Sequence, residues 1–363
     1  MPTAGESDKP VKLPIALTIL TGFLGSGKTT LLKAALATEA MAGTAVIVNE
    51  FGEVGLDDAL IRPVGQRIDE ATVLLPSGCV CCEVQSDLAA ALLKLHEDML
   101  ASRIPVISRV VLETTGLADP GPIARALLTD RDLFRVYRLD GIVTTVDAEH
   151  ICRQLAEHGE PARQIALADR LVVTKSDRVT LEQTAQVEWL LGELNPSAQL
   201  TVAVKGNIDP ALLFDIGATE IVASGRDAAA WLAADGYGAQ AMHPHACQGA
   251  GCTHEHHMVQ PSGHLYGIHS FALTFAAPLD GRKLEGIIEA VRMVYGAKIL
   301  RMKGIVAIAG EEQPIVIHGV AQAFYPTEQL PAWPTADRRS RIVFITKDLE
   351  ETAIRTAFAP LQD

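Results

Sequence analysis

The stretch Pro14-Ile-Ala-Leu-Thr-Ile-Leu-Thr-Gly-Phe-Leu-Gly-Ser-Gly-Lys-Thr29 decides the fold of this chain. Its first half is a continuous apolar run, which is typical of a strand buried on both faces of a parallel sheet. Its second half satisfies the pattern G-x-x-x-x-G-K-[ST], in which a glycine-rich loop joins such a strand to a helix. Backbone amides of this loop point at phosphate oxygens. The stretch therefore predicts a P-loop nucleotide-binding domain.

The same loop contains most of the predicted nucleotide ligands. Lys28 would neutralise the β- and γ-phosphates, and Thr29 would bind Mg²⁺ through its hydroxyl group. The other loop residues expected at the nucleotide are Gly22, Gly25, Ser26, Gly27 and Thr30. The alternative, a chance glycine-rich turn, is disfavoured by the strand and helix patterns on either side.

Apolar runs recur along the chain and alternate with helix-like segments. The predicted strands after the first lie at 44–49, 109–113, 141–147, 170–174 and 199–204, and predicted helices include 28–36 and 87–100. Strands that alternate with helices imply a doubly wound α/β domain with a mainly parallel sheet. We expect a flexible tail at 1–12, the P-loop domain at 13–223 and a His/Cys-rich linker at 224–263.

A second, smaller α+β domain is predicted at 264–363. Residues 267–275 alternate with period two, as in a strand with one solvated face. The pattern then predicts a helix at 279–295, short strands at 298–309, 315–318 and 341–346, and a last helix at 349–358. In the first domain, the isolated Cys152 is interpreted as a packing residue.

The composition excludes several classes of protein. The chain has 363 residues, and 48% are hydrophobic and 21% charged, as in a folded protein of two domains. A net charge of −13 and the lack of a basic tract argue against nucleic acid as a partner. The N-terminus lacks a signal-peptide pattern, and the longest apolar stretch is too short to span a bilayer. We therefore expect a cytoplasmic protein without a membrane partner.

Two further motifs select among P-loop proteins. Glu113 ends a buried run, where a Walker-B acid would hold Mg²⁺ through a water, and Gly116 follows in the position of switch II. Thr174-Lys175-Ser-Asp177 ends another run, and the Asp177 carboxylate can accept the two adjacent N–H donors of guanine, which adenine lacks. The alternatives are a loop-capping acid and a solvated turn. In this context the motifs favour GTP over ATP, with Lys28, Thr29 and Glu113 as the catalytic residues.

Three cysteines, Cys79, Cys81 and Cys82, lie within four positions and precede a predicted helix. A helix N-terminus favours the thiolate form, which binds metal. Small buried hydrophobes and a C-x-x-C redox pair of Cys79 with Cys82 are the alternatives. Thiolates suit Zn²⁺ or Co²⁺, and a fourth ligand must come from elsewhere or from water. We predict a transition-metal site, with zinc named first.

The predicted linker concentrates imidazoles and thiols within 15 residues. Its candidate ligands are His243, His245, Cys247, Cys252, His254, His256 and His257. Such a local cluster favours weak metal binding that raises the local metal concentration. The alternative is a solvated low-complexity linker.

Taken together, these motifs resemble the CobW-type metallochaperone GTPases, a P-loop family that includes the YjiA-like proteins. The likeness covers most of the chain, and the matching motifs are residues 21–30, 49–57, 78–82, 113–120 and 174–177, together with the C-terminal part from about 267. The resemblance implies that 49–57 is switch I and that the C-x-C-C carries the metal. We expect Glu53, in switch I, to be the fourth ligand. The chain departs from the commoner pattern at Thr174, where the family usually has Asn.

The leading hypothesis is a GTPase that binds Zn²⁺ or Co²⁺ and delivers it to a metal-requiring client protein under the control of GTP and GDP. Slow hydrolysis is expected, because no water-positioning glutamine lies in the switch II stretch. By analogy, the C-terminal domain recognises the client. The alternatives are a metal-storage protein with an uncoupled nucleotide site and a P-loop ATPase or kinase with structural cysteines. The sequence leaves the metal, the client and the oligomeric state open.

Overall fold

The computed structural model describes residues 14–48, 72–74, 83–217 and 265–361. The expected tail at 1–12, the segment 49–57 with Glu53, the thiol cluster and the linker at 224–263 lie outside the described residues. The domain boundaries near 223 and 264 also lie there and stay predictions.

The first domain is built on a parallel sheet. Its strands are β1 (Ile15–Gly22), β2 (Thr44–Val48), β3 (Thr72–Leu74), β4 (Arg109–Glu113), β5 (Tyr137–Asp147), β6 (Arg170–Thr174) and β7 (Gln199–Ala203). Its helices are α1 (Lys28–Leu36), α2 (Glu83–Leu100), α3 (Pro120–Thr129), α4 (Arg131–Val136), α5 (Ile151–Glu157), α6 (Glu160–Leu167) and α7 (Leu181–Leu194). The seven strands run in the order β3-β2-β4-β1-β5-β6-β7, and every pair is parallel. The predicted P-loop fold is confirmed.

The position of β1 explains where the site forms. β1 lies between β4 and β5, and its side chains are buried, with Leu17 and Ile19 fully inaccessible. Helices cover both faces of the sheet, which is why its strands are continuous apolar runs. In open parallel sheets, ligands bind beyond the carboxyl ends of the strands, where the chain leaves in opposite directions. The loop after β1 occupies that edge.

The second domain is an antiparallel sheet with two helices, as predicted. Its elements are β8 (Ile268–Phe275), α8 (Gly281–Tyr295), β9 (Ile299–Val306), β10 (Ile315–Val320), β11 (Ala323–Phe324), β12 (Glu328–Gln329), β13 (Ser340–Lys347) and α9 (Glu351–Phe358). The strand order is β11-β10-β9-β13-β8, and β12 pairs with β10. On one face, aromatic rings from β8, β13 and α9 form a core, in which Phe344 lies 5.7 Å from Phe271 and 5.5 Å from Phe358.

The opposite face of this sheet packs against the first domain. The expectation that one face of β8 is solvated is therefore wrong. Ile268, Leu300 and Ile345 belong to the same core as β1 and β4. Ser270 donates from Oγ to the carbonyl oxygen of Leu194 at 3.2 Å. The face of β8 expected to be solvated is therefore partly covered by the first domain. Sequence periodicity cannot distinguish a solvated polar face from one that meets another domain.

A buried charge cluster lies in this interface. Arg301 on β9 donates to the Leu167 carbonyl oxygen and to the Asp169 carboxylate, and its Nη2 lies 2.8 Å from Nε2 of His318. Lys303 donates to the Ser197 carbonyl oxygen at 3.2 Å, and its Nζ lies 3.5 Å from Asp169. The two domains are therefore joined by ion pairs that water does not reach.

The prediction that Cys152 is a packing residue is also wrong. Cys152 lies on the exposed side of α5. An isolated cysteine has no spacing to others that would indicate its environment, so its burial was not encoded in a local pattern.

Candidate nucleotide site

The loop after β1 has the curled backbone that phosphate binding requires. Gly22, Gly25 and Gly27 have φ values of 141°, 71° and 94°. A Cβ atom on Gly22 would lie 2.3 Å from Oγ1 of Thr145 on β5, so no side chain fits there. The positive φ values, together with the lack of space at Gly22, therefore exclude most other residue types from these positions.

Lys28 places its charge inside this loop. Its side chain is buried, and Nζ donates to the carbonyl oxygens of Gly22 at 2.8 Å and Phe23 at 3.3 Å. These bonds hold the ammonium group over the loop, at the N-terminus of α1, where the backbone amides also carry positive partial charge. The loop is thus prepared for a polyanion.

Thr29, in the first turn of α1, contacts Glu113 at the end of β4, the strand next to β1. The Thr29 hydroxyl donates to Oε1 of Glu113 at 2.7 Å, and the Glu113 side chain is only 5% exposed. A hydroxyl and a carboxylate oxygen are the hard ligands that Mg²⁺ prefers. These residues therefore fit the predicted role of holding a magnesium ion beside the phosphates.

The loop 114–119 follows Glu113 and packs on the P-loop. Thr114 donates from its backbone amide to Leu20 at 2.9 Å and from its hydroxyl to Oγ1 of Thr21 at 2.8 Å. A Cβ atom on Gly116 would lie 2.6 Å from the backbone nitrogen of Leu24. Gly116 is therefore required by the close approach of two backbones, and its role in switch II stays a prediction.

Thr174 supports the P-loop from β6. Its hydroxyl lies 2.7 Å from the carbonyl oxygen of Ser26 and 3.1 Å from that of Val146, so it donates to the P-loop backbone. Ser26 in turn shares a 2.7 Å hydrogen bond with Thr145. The threonine that stands where the family usually has asparagine still contacts the loop.

Lys175 and Asp177 lie at the same edge but have different surroundings. Nζ of Lys175 donates to Oδ2 of Asp147 at 2.6 Å, and Nδ1 of His150 lies 2.9 Å from that same oxygen. Burial alone would raise the pKa of Asp147, but these two hydrogen bonds outweigh it and lower that pKa below its usual range. Asp177 is exposed at the start of a turn. The Asp177 carboxylate remains accessible to a nucleobase. The Lys175 side chain, in contrast, is held against β5 by its bond to Asp147.

Asp147, Glu149 and His150 are the one group of metal-type ligands in the described residues, with ligand atoms within 4.8 Å of one another. Two cations already contact them, because Lys175 bonds to Asp147 and Nη1 of Arg178 lies 3.6 Å from Glu149. The acidic charge is therefore balanced by protein side chains, and the group serves to position Lys175.

The structure also assigns contacts that the sequence did not predict. Nε2 of Gln164, on α6, donates to the carbonyl oxygens of Gly116 at 3.1 Å and Ala118 at 2.9 Å. Asp147 and Thr145 at the end of β5 are likewise part of the site. The strand end at Asp147 was a signal that could have identified it, whereas nothing local to Gln164 indicates its contact.

The candidate transition-metal ligands cannot be compared in this way. Cys79, Cys81, Cys82, Glu53 and all seven His and Cys residues of the linker lie outside the described residues. Their roles stay predictions. In the part of the chain that the structure describes, no helix combines the length and apolar character needed to cross a membrane.

Two protein families match the chain, one for each sheet. The family described as "CobW/HypB/UreG, nucleotide-binding domain" matches residues 16–202. The family described as "Cobalamin synthesis protein cobW C-terminal domain" matches residues 268–361. Together they account for both described domains.

Two curated relatives are similar over nearly the whole chain, and a third is similar over about half of it. The zinc chaperone YjiA of Escherichia coli (strain K12) is 32% identical over 356 residues, which are 96% of this chain and 99% of that protein. The zinc chaperone CobW of Pseudomonas aeruginosa is 30% identical, covering 96% and 92%. Zinc-regulated GTPase metalloprotein activator 1 of Schizosaccharomyces pombe is 35% identical over 54% of this chain and 47% of its own length.

Solved structures are similar over both domains. The crystal structure of Zn(II)-bound YjiA GTPase from E. coli matches with a TM-score of 0.70 and 28% identity, over 97% of this chain and 100% of that chain. A Zn(II)-bound triple mutant of the same GTPase, in which a glutamate and two cysteines are replaced by alanine, gives the same values.

Proposed function

Since the chain belongs to the CobW/HypB/UreG family, we propose that it is a GTP-hydrolysing metallochaperone. In this proposal it binds Zn²⁺ or Co²⁺ at Cys79, Cys81 and Cys82 and delivers the ion to a client protein. The nucleotide state controls when the metal is held or released. Zinc stands first because the relatives that match over both domains are named zinc chaperones.

The contact between Thr29 and Glu113 carries the hydrolytic part of this proposal. It joins the P-loop to the end of β4 at 2.7 Å and unites two oxygen ligands beside Lys28. Mg²⁺ held at these two residues would supply positive charge that offsets the negative charge developing on the phosphates. Lys28 would add a second positive charge, while Thr29 and Glu113 hold the ion in place. The loop 114–119 contains no glutamine to orient water, so slow intrinsic turnover is expected.

The preference for GTP rests on Asp177. Its exposed carboxylate follows β6 at the same sheet edge as the P-loop. Thr174 supports the loop through Ser26, so the missing asparagine does not leave the P-loop unbraced. Guanine presents two adjacent donors to such a carboxylate, whereas adenine does not.

Helix α2, which follows the three cysteines, offers a structural route for coupling between metal binding and the nucleotide state. α2 begins at Glu83, directly after Cys82, and its buried residues Leu88 and Leu92 share a core with Leu112 of β4. The hydroxyl group of Tyr137 also donates to the Leu92 carbonyl oxygen at 2.7 Å. A shift of Glu113 with the nucleotide could thus reach α2 through packed side chains.

The test is a competition titration of Zn²⁺ and Co²⁺ with Mg²⁺ and a GTP analogue, GDP or no nucleotide. We expect metal affinity to differ about ten-fold or more between nucleotide states, a coupling of about 1.4 kcal/mol. The Cys79/Cys81/Cys82→Ala variant should lose this difference. The control is Cys152→Ala, which removes an exposed thiol outside the cluster and should behave as the unmodified protein.

Each alternative function predicts a different outcome. Equal metal affinity in all nucleotide states would favour metal storage with an uncoupled nucleotide site. Tighter binding of ATP than of GTP, measured in a separate nucleotide titration, would favour an ATPase or kinase with structural cysteines. Metal affinity that survives the triple cysteine variant would place the metal elsewhere, with the His/Cys residues of the linker as the next candidates.

A further inference from the structure

Helix α6 contacts the second half of the loop 114–119. Gln164 donates both N–H groups of its amide to this loop, to the carbonyl oxygens of Gly116 and Ala118. The preceding residue, Arg163, lies with Nε 2.6 Å from Oδ2 of Asp119. Two adjacent residues of one helix therefore hold the loop where it leaves the nucleotide site.

The loop is enclosed from two sides. On one side, Gly116 meets the P-loop backbone at Leu24 with no room for a side chain. On the other side, the Gln164 amide holds the carbonyl groups on either side of Leu117. Holding two carbonyl oxygens orients two peptide planes, because each peptide unit is rigid. The backbone that begins three residues after Glu113 is thus fixed by a side chain from another helix.

The buried amide of Gln164 is poorly explained as a source of stability. Its side chain is 1% exposed, and Oε1 has no hydrogen-bond partner among the described residues. A buried acceptor without a partner costs much of what the two donated bonds contribute. An apolar side chain of the same length would avoid this cost but would leave the carbonyl oxygens of Gly116 and Ala118 without these donors. What only the amide supplies is a pair of donors aimed at the loop.

We propose that Gln164 is a positioning residue for GTP hydrolysis. It holds residues 116–118 in the conformation that completes the site around the γ-phosphate and the ion at Glu113. This inference rests on the proposed GTPase function. It predicts that removing the donors slows hydrolysis but leaves the binding of GDP, which lacks the γ-phosphate, nearly unchanged.

The test compares two isosteric variants that each remove a buried amide from the surroundings of α6. Gln164→Met keeps the length of the side chain and removes both donors. Asn195→Leu is the matched control, because Asn195 donates from Nδ2 to the carbonyl oxygens of Ile165 and Ala168 at 2.8 and 2.9 Å and does not contact the loop. Single-turnover GTP hydrolysis, affinity for a fluorescent GDP analogue and Tm are measured for each.

We expect Gln164→Met to hydrolyse GTP about ten-fold or more slowly, since small misplacements at a reaction centre have large effects on rate. Its GDP affinity should stay within about two-fold of that of the unmodified protein. Asn195→Leu should lower Tm and leave the rate within about two-fold. Gln164→Glu, which in a buried site is protonated and offers one donor, should have an intermediate rate and serves if the methionine variant does not fold.

Three results would overturn the proposal in distinguishable ways. An unchanged rate in Gln164→Met would overturn it while leaving the GTPase function intact. A loss of rate, GDP affinity and Tm together, equal to that in Asn195→Leu, would assign Gln164 a merely structural role. If the unmodified protein shows no GTP turnover over the buffer control, the proposed function itself fails, and this inference fails with it.

Discussion

Thr174 shows how one hydroxyl group can replace a longer amide at the nucleotide edge. It lies at the end of β6, and its Oγ1 is 2.7 Å from the carbonyl oxygen of Ser26 in the P-loop. The residue is buried, so loss of the hydroxyl would leave that carbonyl oxygen without this donor. Its contribution should therefore be measurable as nucleotide affinity.

We expect Thr174→Val to weaken GDP binding about five-fold, because one buried hydrogen bond contributes about 1 kcal/mol. The variant keeps the shape of the side chain and removes only the donor. Isothermal titration with GDP measures the effect. Thr346→Val is the control, since Thr346 makes a buried hydroxyl bond of 2.7 Å to Leu349 in the other domain. Equal GDP affinity in both variants would mean that Thr174 does not support the loop.

At the level of elements, the turn between β10 and β11 brings the second domain close to the end of the loop 114–119. Ala321 and Gln322 form this turn with φ values of 46° and 73°. Gly121, at the start of α3, has so little space that a Cβ atom would lie 2.9 Å from Cβ of Ala321. The turn therefore touches the helix that directly follows the loop 114–119.

The left-handed conformation at Gln322 is unfavourable for a residue with a Cβ atom. Gln322→Gly should raise the free energy of unfolding by about 1 kcal/mol, because glycine adopts positive φ without steric cost. Thr274→Gly on β8, at an exposed strand position, is the control and should lower it by a similar amount. Urea unfolding of both variants checks the sign. Destabilisation in both would contradict the assigned turn.

At the scale of the whole molecule, buried charges connect the two domains. Asp169 directly precedes β6 in the first domain and pairs with Arg301 from β9 in the second. Burial, together with the charge of Arg301, lowers the pKa of Lys303 to about 7, although Asp169 lies 3.5 Å away. Arg301 already neutralises the carboxylate, so a charged Lys303 is costly to bury.

This arrangement predicts how stability depends on pH. The ordinary lysine pKa is 10.5, so between about pH 7 and 10 the unfolded chain binds more protons at Lys303 than the folded chain does. Stability contributed through this group therefore rises with pH across that window. Lys303→Met should flatten the rise of Tm, whereas Lys283→Met, at an exposed position of α8, should not. An unchanged slope in Lys303→Met would show that Lys303 titrates normally.

The sequence determined the features that lie within short, continuous stretches. Apolar runs of strand length and the glycines before Lys28 predict a P-loop fold, because backbone sterics and phosphate chemistry act locally. The sequence also predicts Glu113, Thr174 and Asp177 at one site, since the carboxyl ends of parallel strands share one edge of the sheet. The two-domain division followed from the change of pattern after 223, although that boundary lies outside the described residues.

Only the tertiary structure decided which distant residues meet. Gln164 reaches Gly116 across 48 positions, and Arg301 reaches Asp169 across 132. Neither contact produces a periodic pattern in the sequence. The sequence does not show which partner a single buried polar residue has. The covered face of β8 was misjudged for the same reason. Packing between helices and domains, which depends on the folded shape, assigned these residues their surroundings.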